Sequence, residues 1–377
     1  MPILPDTGTF VTRVWRPALG PCLALHRDGD LIDITSSTSP TMRDLLERDD
    51  LPAYLATVAG TLIAPLAALD QHEPAADSLH LLSPADLQAI KACGVTFARS
   101  MIERVIEERA AGDPSRAEAI RARVTSAIGD SLRKLEPGSA QAAEVKRLLQ
   151  AEGLWSQYLE VGIGPDAEVF TKAPPMASVG YGAAVGLHPI SKWNNPEPEV
   201  VLAVDSRGQI KGASLGNDVN LRDVEGRSAL LLGKAKDNNA AASIGPFIRI
   251  LDDHFGIADV RRLDLTLDVT GVDGFTLQGR SSMTEISRDP EDLVRQTLGR
   301  HHQYPDGVML YCGTMFAPVQ DRDGPGQGFT HHLGDRVTIA APQLGALTNT
   351  VRLATEAPPW TFGTAALMRN LAGRGLL

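Results

Sequence analysis

The sequence predicts an α+β protein: a β-rich core carrying a helical insertion, preceded by a small N-terminal α+β domain. After residue 155, many short apolar runs are separated by Gly, Pro and Asp, with few helical stretches between them, which argues against a doubly wound α/β sheet. Residues 100–152 are highly charged, and their apolar positions recur at three and four, the period of an amphipathic helix. Residues 10–35 alternate as strands do, around the turn Asp28-Gly29-Asp30.

Taken in order, residues 1–80 form the small domain, with a helix from Thr41 to Gly60 and a fade into the polar segment Gln71 to Asp77. Residues 81–377 form the catalytic domain. It opens on Ser83-Pro84-Ala85-Asp86, where an N-cap, a Pro at the first helical position and an acid at the third predict a short helix ending at Cys93-Gly94. A turn at Gly94-Val95-Thr96-Phe97 leads into the helical insertion, broken at Gly112-Asp113-Pro114 and Pro137-Gly138. That insertion reads as an amphipathic layer over a sheet or a dimer face. Strands are expected at 199–204, 209–216, 260–270, 274–280, 307–312, 335–341 and 346–353, with one capped helix near 289–300.

The 377-residue chain, 43% hydrophobic, is long enough for one large core and an accessory domain. No run of eighteen apolar residues occurs, and the N-terminus lacks the basic and apolar parts of a signal peptide, so a cytoplasmic protein is expected. Its 36 Lys and Arg against 46 Asp and Glu give a net charge of −10, which argues against nucleic-acid or anionic-membrane partners. The three cysteines, Cys22, Cys93 and Cys312, are odd in number and widely spaced, so they encode neither a disulfide framework nor a thiolate zinc site.

The chemistry concentrates between Asn194 and Pro246. Glu197 and Glu199 stand two apart at the head of a Val-rich run, so on a strand both carboxylates point the same way. Pro198 between them cannot donate to a ladder and marks a strand end. Asp218 lies on the next apolar run, after the turn Asp205-Ser206-Arg207-Gly208; if the two runs pair, three acids converge. Three carboxylates suit Mg²⁺ or Mn²⁺ with positions left for water and a chelating substrate, for which a 2-oxo acid is the expected class. Lys236, eighteen positions after Asp218 among small and amide residues, is a candidate proton-transfer group.

Other signals read as structure. Gly180 to Gly186 resembles a dinucleotide fingerprint, but His188-Pro189 follows where a helix should open, so a loop is expected. His301-His302 and His331-His332 are adjacent pairs whose rings diverge, and surface or loop positions are expected for them. Gly324 to Gly328 reads as a mobile loop or lid.

The string of motifs E-x-E, G-N-D-V-x-x-R-D, A-K and I-G-P, closed by a G-T turn, resembles the catalytic domain of the fumarylacetoacetate hydrolase superfamily over residues 85 to 377. The resemblance implies a mixed β-sandwich or roll, and Mg²⁺ or a similar ion on Glu197, Glu199 and Asp218. It places the family's lysine at Lys236, its arginine at Arg222 as a clamp for a substrate carboxylate, its F-x-K lysine at Lys172, and an acid, Glu168, facing the metal. Ser100 stands where hydrolytic members carry a histidine, which favours a lyase. The strings NNPEPEVV, GNDVNLRD and KAKDNNA are similar to the 2-keto-3-deoxy-pentonate dehydratases of oxidative pentose catabolism. The implied reaction dehydrates 2-keto-3-deoxy-D-xylonate to 2,5-dioxopentanoate. Glu168 and Lys236 are then the proton-transfer pair, and Arg99, Ser100, Lys172, Arg222 and Thr314 the groups that hold substrate. The family implies a homodimer or homotetramer. An acylpyruvate-type C–C hydrolase and a non-catalytic 2-oxo-acid binder are the alternatives.

Overall fold

The computed structural model describes residues 4–69, 74–117, 120–121, 135–151, 153 and 155–377, apart from the side chains of Ala98 and Arg99. Strands β1 (Phe10–Arg16), β2 (Gly20–Arg27), β3 (Asp30–Asp33) and β4 (Thr61–Pro65) form an antiparallel series. The β2–β3 turn has positive φ at both Asp28 and Gly29, the geometry whose twist matches a hairpin. Short helices Met42–Leu46 and Leu51–Thr57 stand where the sequence predicts one helix.

β5 (His80–Leu82) pairs with β1, and β6 (Ala89–Gly94) and β7 (Glu168–Ala173) flank the helical insertion. β8 (Ala184–Leu187), β9 (Pro198–Val204), β10 (Ile210–Asp218), β11 (Ala242–Ile250), β12 (Asp264–Thr270), β13 (Thr276–Ser282), β14 (Val308–Tyr311), β15 (Arg336–Ala341) and β16 (Gly345–Leu353) complete two mixed sheets. The larger runs β4-β3-β2-β1-β11-β10-β9-β14-β6-β7; the smaller runs β13-β12-β15-β16-β8. Two parallel pairs, β14 with β6 and β16 with β8, make both sheets mixed.

Apolar side chains between the sheets, among them Leu202, Leu215, Phe247, Leu267, Ile339 and Leu347, form the main core. On the other face of the large sheet, Val201, Ile248 and Met309 pack against Leu45 and Leu55 of the short N-terminal helices. β9 is buried along its whole length, as a central strand covered on both faces must be. The β9–β10 turn is set by the buried Asp205 carboxylate, which accepts from the backbone N–H groups of Arg207 (3.0 Å) and Gln209 (2.9 Å).

The β-rich α+β core is as expected, with differences in detail. Residues 10–65 add strands to the large sheet, β1 pairing with β11, so the break expected near residue 80 does not interrupt the sheet. The helix expected from Ser83 to Gly94 is absent: Ala89–Gly94 is the strand β6, parallel to β14 and antiparallel to β7. Its cap signal serves another element, since the Asp86 carboxylate accepts from the backbone N–H groups of Met42 (2.6 Å) and Arg43 (3.1 Å). β4, β5, β7, β8, β11 and several helices, Gln157–Ile163 and Thr364–Gly373 among them, fall outside the expected elements. In the insertion, helices Ala98–Ala110 and Ala140–Ala151 bury Met101, Val105, Ile106, Ala142 and Leu149 together with Tyr158, Leu159 and Trp193. Among the described residues, no helix is long and apolar enough to cross a membrane.

Candidate active site

The β9–β10 pairing sets Glu199 opposite Gly216 and Pro198 opposite Asn217, and Asp218 N–H donates to the Glu197 carbonyl at 3.1 Å. The Asn217 side-chain oxygen accepts from Glu197 N–H at 3.1 Å, fixing the strand head. Glu197, Glu199 and Asp218 thereby converge, with one carboxylate oxygen of each lying within 4.8 Å of the others. All three are buried.

Lys236, at the end of the short helix Leu232–Lys236, points into this trio. Its Nζ donates to Glu197 Oε2 at 2.5 Å and Asp218 Oδ2 at 3.0 Å. Burial works against the ammonium, but Asp218 and Glu197 outweigh it and raise its pKa, so it is held as a cation. Lys172 on β7 is wholly buried; its Nζ contacts Asp218 Oδ1 at 2.7 Å and donates to the carbonyls of Lys236 (2.6 Å) and Val219 (3.1 Å). It therefore grips Asp218 from behind and is absent from the lining of the cleft, which separates it from the substrate-holding role.

Glu199 differs from its neighbours. It accepts from Gly313 N–H at 2.7 Å and Thr314 Oγ1 at 3.4 Å, and among the described residues no basic side chain pairs with it. Burial, then the Asp218 and Glu197 charges, push its pKa well up. Burial also raises Glu197, yet Lys236 and Arg104 reverse this and bring it down to about 2. A buried carboxylate trio holding one member without a cation is the donor set and the charge deficit that a hard divalent ion fills.

Above the trio lies a narrow cleft, into which Ser100, Glu168 and Thr314 face together with Arg104 and Glu225. Glu168 opens β7; burial raises its pKa against the pull of Arg104 and Lys236. Gly94 makes room for it: a Cβ there would lie 1.9 Å from Glu168 Oε2. Ser100 Oγ donates to the Phe97 carbonyl at 2.9 Å. The Arg99 side chain lies outside the described residues.

Arg222 does not meet the expectation of a carboxylate clamp. Buried to 1% exposure, it bonds Glu107 Oε1 (2.6 Å), Glu103 Oε2 (3.2 Å) and the Pro318 carbonyl (3.2 Å), and stacks on Trp193. Each of its three nitrogens is engaged by a group other than the carboxylate trio, and it is absent from the lining of the cleft. The guanidinium that does reach the site is Arg104, on the insertion helix Ala98–Ala110, which contacts Glu197 Oε1, Glu107 Oε2 (2.6 Å) and Glu225 Oε2 (2.9 Å). In the sequence it is one charge among several on an amphipathic helix, and only the fold brings it to Glu197. Glu225, in the helix Arg222–Glu225, is pushed up to about 7 by burial despite Arg104.

His331 lies in a loop, one of the two placements expected, and is buried there, its Nδ1 3.1 Å from Asp335 Oδ2. The Gly180 to Gly186 segment leads into β8 and not into a helix. The three cysteines are free and buried.

Comparison with known proteins agrees with this geometry. The chain is 28% identical over 334 residues to a probable 2-keto-3-deoxyxylonate dehydratase of Haloferax volcanii, covering 87% of this chain and 94% of that one. It is 33% identical over 155 residues to a 2-dehydro-3-deoxy-D-arabinonate dehydratase of Saccharolobus solfataricus, 41% of this chain and 51% of that one. Among solved structures, a 2-keto-3-deoxy-D-arabinonate dehydratase complexed with magnesium and 2,5-dioxopentanoate superposes with a TM-score of 0.62 at 21% identity, over 91% of this chain and 99% of that one. A fumarylacetoacetate hydrolase from Exiguobacterium antarcticum gives 0.55 at 15% identity, over 92% and 99%. The family model for the fumarylacetoacetate (FAA) hydrolase C-terminal domain matches residues 164–352, the stretch that supplies Glu168, the carboxylate trio, Lys236 and Thr314, and the chain belongs to that family.

Proposed function

We propose that this protein is a hydro-lyase that removes water from 2-keto-3-deoxy-D-xylonate, the same compound as 2-dehydro-3-deoxy-D-arabinonate, to give 2,5-dioxopentanoate. The observation that carries it is the buried trio Glu197, Glu199 and Asp218 with Lys236 at its edge, in a chain similar along most of its length to a protein named for that dehydration. Glu197, Glu199 and Asp218 are the ligands for Mg²⁺ or Mn²⁺. When bound, the ion supplies Lewis-acid polarisation of the substrate's 2-oxo group, which acidifies the C3 protons.

The protein's own groups complete the chemistry. Glu168 takes the C3 proton: among the described residues no basic side chain pairs with it, and it faces the cleft. Lys236 donates to the departing C4 hydroxyl. Two of its three N–H groups are held by Glu197 and Asp218, which aims the third. Loss of the C3 proton and the C4 hydroxyl releases water, and tautomerisation of the resulting enone gives the aldehyde. Ser100 and Thr314 hold substrate oxygens. Lys172 positions Asp218, and Arg222 is assigned to the scaffold. The absence of the histidine that hydrolytic relatives use, with Ser100 in its place, disfavours the C–C hydrolase alternative. A cytoplasmic homo-oligomer belongs to the same proposal.

The test follows 2-keto-3-deoxypentonate by NMR with Mg²⁺ present, alongside acetopyruvate by its diketone absorbance. Appearance of the aldehyde supports the proposal. Near-normal turnover by Glu199→Ala or Lys236→Ala, or cleavage of acetopyruvate with no aldehyde from the pentonate, overturns it.

A further inference from the structure

Arg104 is shared by three carboxylates, and they are not equivalent. Glu107 has a second cation in Arg222 (2.6 Å), and Glu197 has one in Lys236 (2.5 Å). Glu225, 4% exposed, has only Arg104 among the described residues, at 2.9 Å, and its Oε2 receives no well-aligned hydrogen bond. A buried carboxyl with acceptor capacity left over is costly unless something else binds it. Glu225 lines the cleft, so that partner can come from the substrate.

The geometry of Arg104 says which part of the substrate. Its Nη2 contacts the metal-ligand candidate Glu197, while its Nη1 contacts Glu225, so the two carboxylates lie on different nitrogens of one rigid guanidinium. Glu225 is therefore set off from the trio by that group. On the dehydratase reading, the C1 and C2 oxygens sit at the trio, and Glu168 and Lys236 serve the C3 proton and the C4 hydroxyl. One polar group remains, the hydroxyl at C5. We propose that Glu225, oriented by Arg104, accepts a hydrogen bond from the C5 hydroxyl and is a specificity-determining residue for substrates that carry one. This rests on the dehydratase reading and adds to it a residue that lines the cleft beside Arg104.

The test compares kcat/KM on 2-keto-3-deoxypentonate with kcat/KM on its 5-deoxy analogue, 4-hydroxy-2-oxopentanoate, using both C4 epimers. The analogue loses the same C3 proton and C4 hydroxyl as water, leaving a conjugated 2-oxopent-3-enoate that is followed by absorbance. Wild type should prefer the C5-hydroxylated substrate by about 100-fold or more, since a site built to bind a hydroxyl leaves a buried polar group unpaired without it. Glu225→Ala should lower kcat/KM on the hydroxylated substrate about 100-fold more than on the analogue, collapsing the preference. A purely structural role would lower both alike, so an unchanged ratio overturns the proposal. Should Glu225→Ala fail to accumulate, Glu225→Gln serves, with a preference reduced at least about tenfold as the expected result and an unchanged ratio again decisive against it. Wild-type protein that dehydrates neither compound refutes the underlying reading, an outcome distinct from a variant that keeps the preference.

Discussion

Replacing Glu199 by Gln separates a metal site from a structural cluster, because the two make opposite demands on the metal-free protein. Glu199 has no basic partner among the described residues, and its carboxylate lies with those of Glu197 and Asp218 inside 4.8 Å. Two unit charges at that distance repel by about 3.5 kcal/mol at an effective dielectric of about 20. Lys236, Lys172 and Arg104 offset much of this for Glu197 and Asp218, while a charged Glu199, with no cation of its own among the described residues, keeps a net penalty. Burial and its two acidic neighbours raise its folded pKa above the unfolded value. Such a carboxyl contributes stability that is full below the unfolded carboxylate range and lost as pH rises through the folded pKa. Glu199→Gln keeps an acceptor for Gly313 N–H and removes the charge. In chelator, its urea midpoint should equal or exceed that of wild type, with a flatter fall as pH rises. In Mg²⁺ at a hundredfold its Kd, wild type should gain about 2.7 kcal/mol and the variant none. A variant clearly less stable than wild type in chelator, or one retaining the Mg²⁺ increment, would refute the reasoning.

Other substitutions divide support from chemistry. Arg222→Met removes one of two cations from each of Glu103 and Glu107, which keep Arg121 and Arg104, and should cost about 1.5–3 kcal/mol by urea unfolding. The milder Arg222→Lys should leave KM within about threefold in steady-state kinetics, and a KM rise of tens of fold would restore Arg222 as a substrate clamp. Lys172→Met removes the cation behind Asp218 and leaves two buried carbonyls without a donor, so both stability, by about 3–5 kcal/mol, and Mg²⁺ affinity by calorimetry should fall. Gly94→Ala drives a methyl to 1.9 Å from Glu168 Oε2, and kcat should drop about 10–100-fold while circular dichroism shows a retained fold.

How much was legible before the fold was known follows from the range of each signal. Glu197, Glu199 and Asp218 could be read because their convergence needs only the two-residue period of a strand and a turn whose chemistry, Asp205 to Gly208, is local. β6 was misread because its cap signal is real but serves a distant helix: Asp86 accepts from Met42 and Arg43, and burial between β14 and β7 overrides the local preference of Ala89–Gly94. β11 escaped because a strand covered on both faces shows no alternation, and Gly245-Pro246 interrupts its run. Arg104 and Glu225 escaped for a different reason. Helix periodicity does place Glu103, Arg104 and Glu107 on the insertion helix, but it carries no information about an acid 93 positions away at Glu197.

That long-range pairing changes what the insertion is for. As a covering layer, the helix Ala98–Ala110 would need only Met101, Val105 and Ile106 against the helix Gln157–Ile163 and Trp193. Instead it sends one guanidinium to the strand head that holds the carboxylate trio, and through Glu107 it meets Arg222 at the start of the next helix after β10. The junction gathers the acids Glu103, Glu107, Glu168, Glu197, Glu199, Asp218 and Glu225 around the bases Arg104, Arg121, Lys172, Arg222 and Lys236. A 2-oxo acid is itself an anion, and the two basic side chains that line the cleft, Arg104 and Lys236, are both already paired with carboxylates. On the proposed reading, a divalent ion on the trio supplies the positive charge for binding as well as for acidifying C3. Arg104, in turn, bridges the acid proposed to hold the ion, Glu197, and the acid proposed to meet the C5 hydroxyl, Glu225, so that both stand close on one guanidinium.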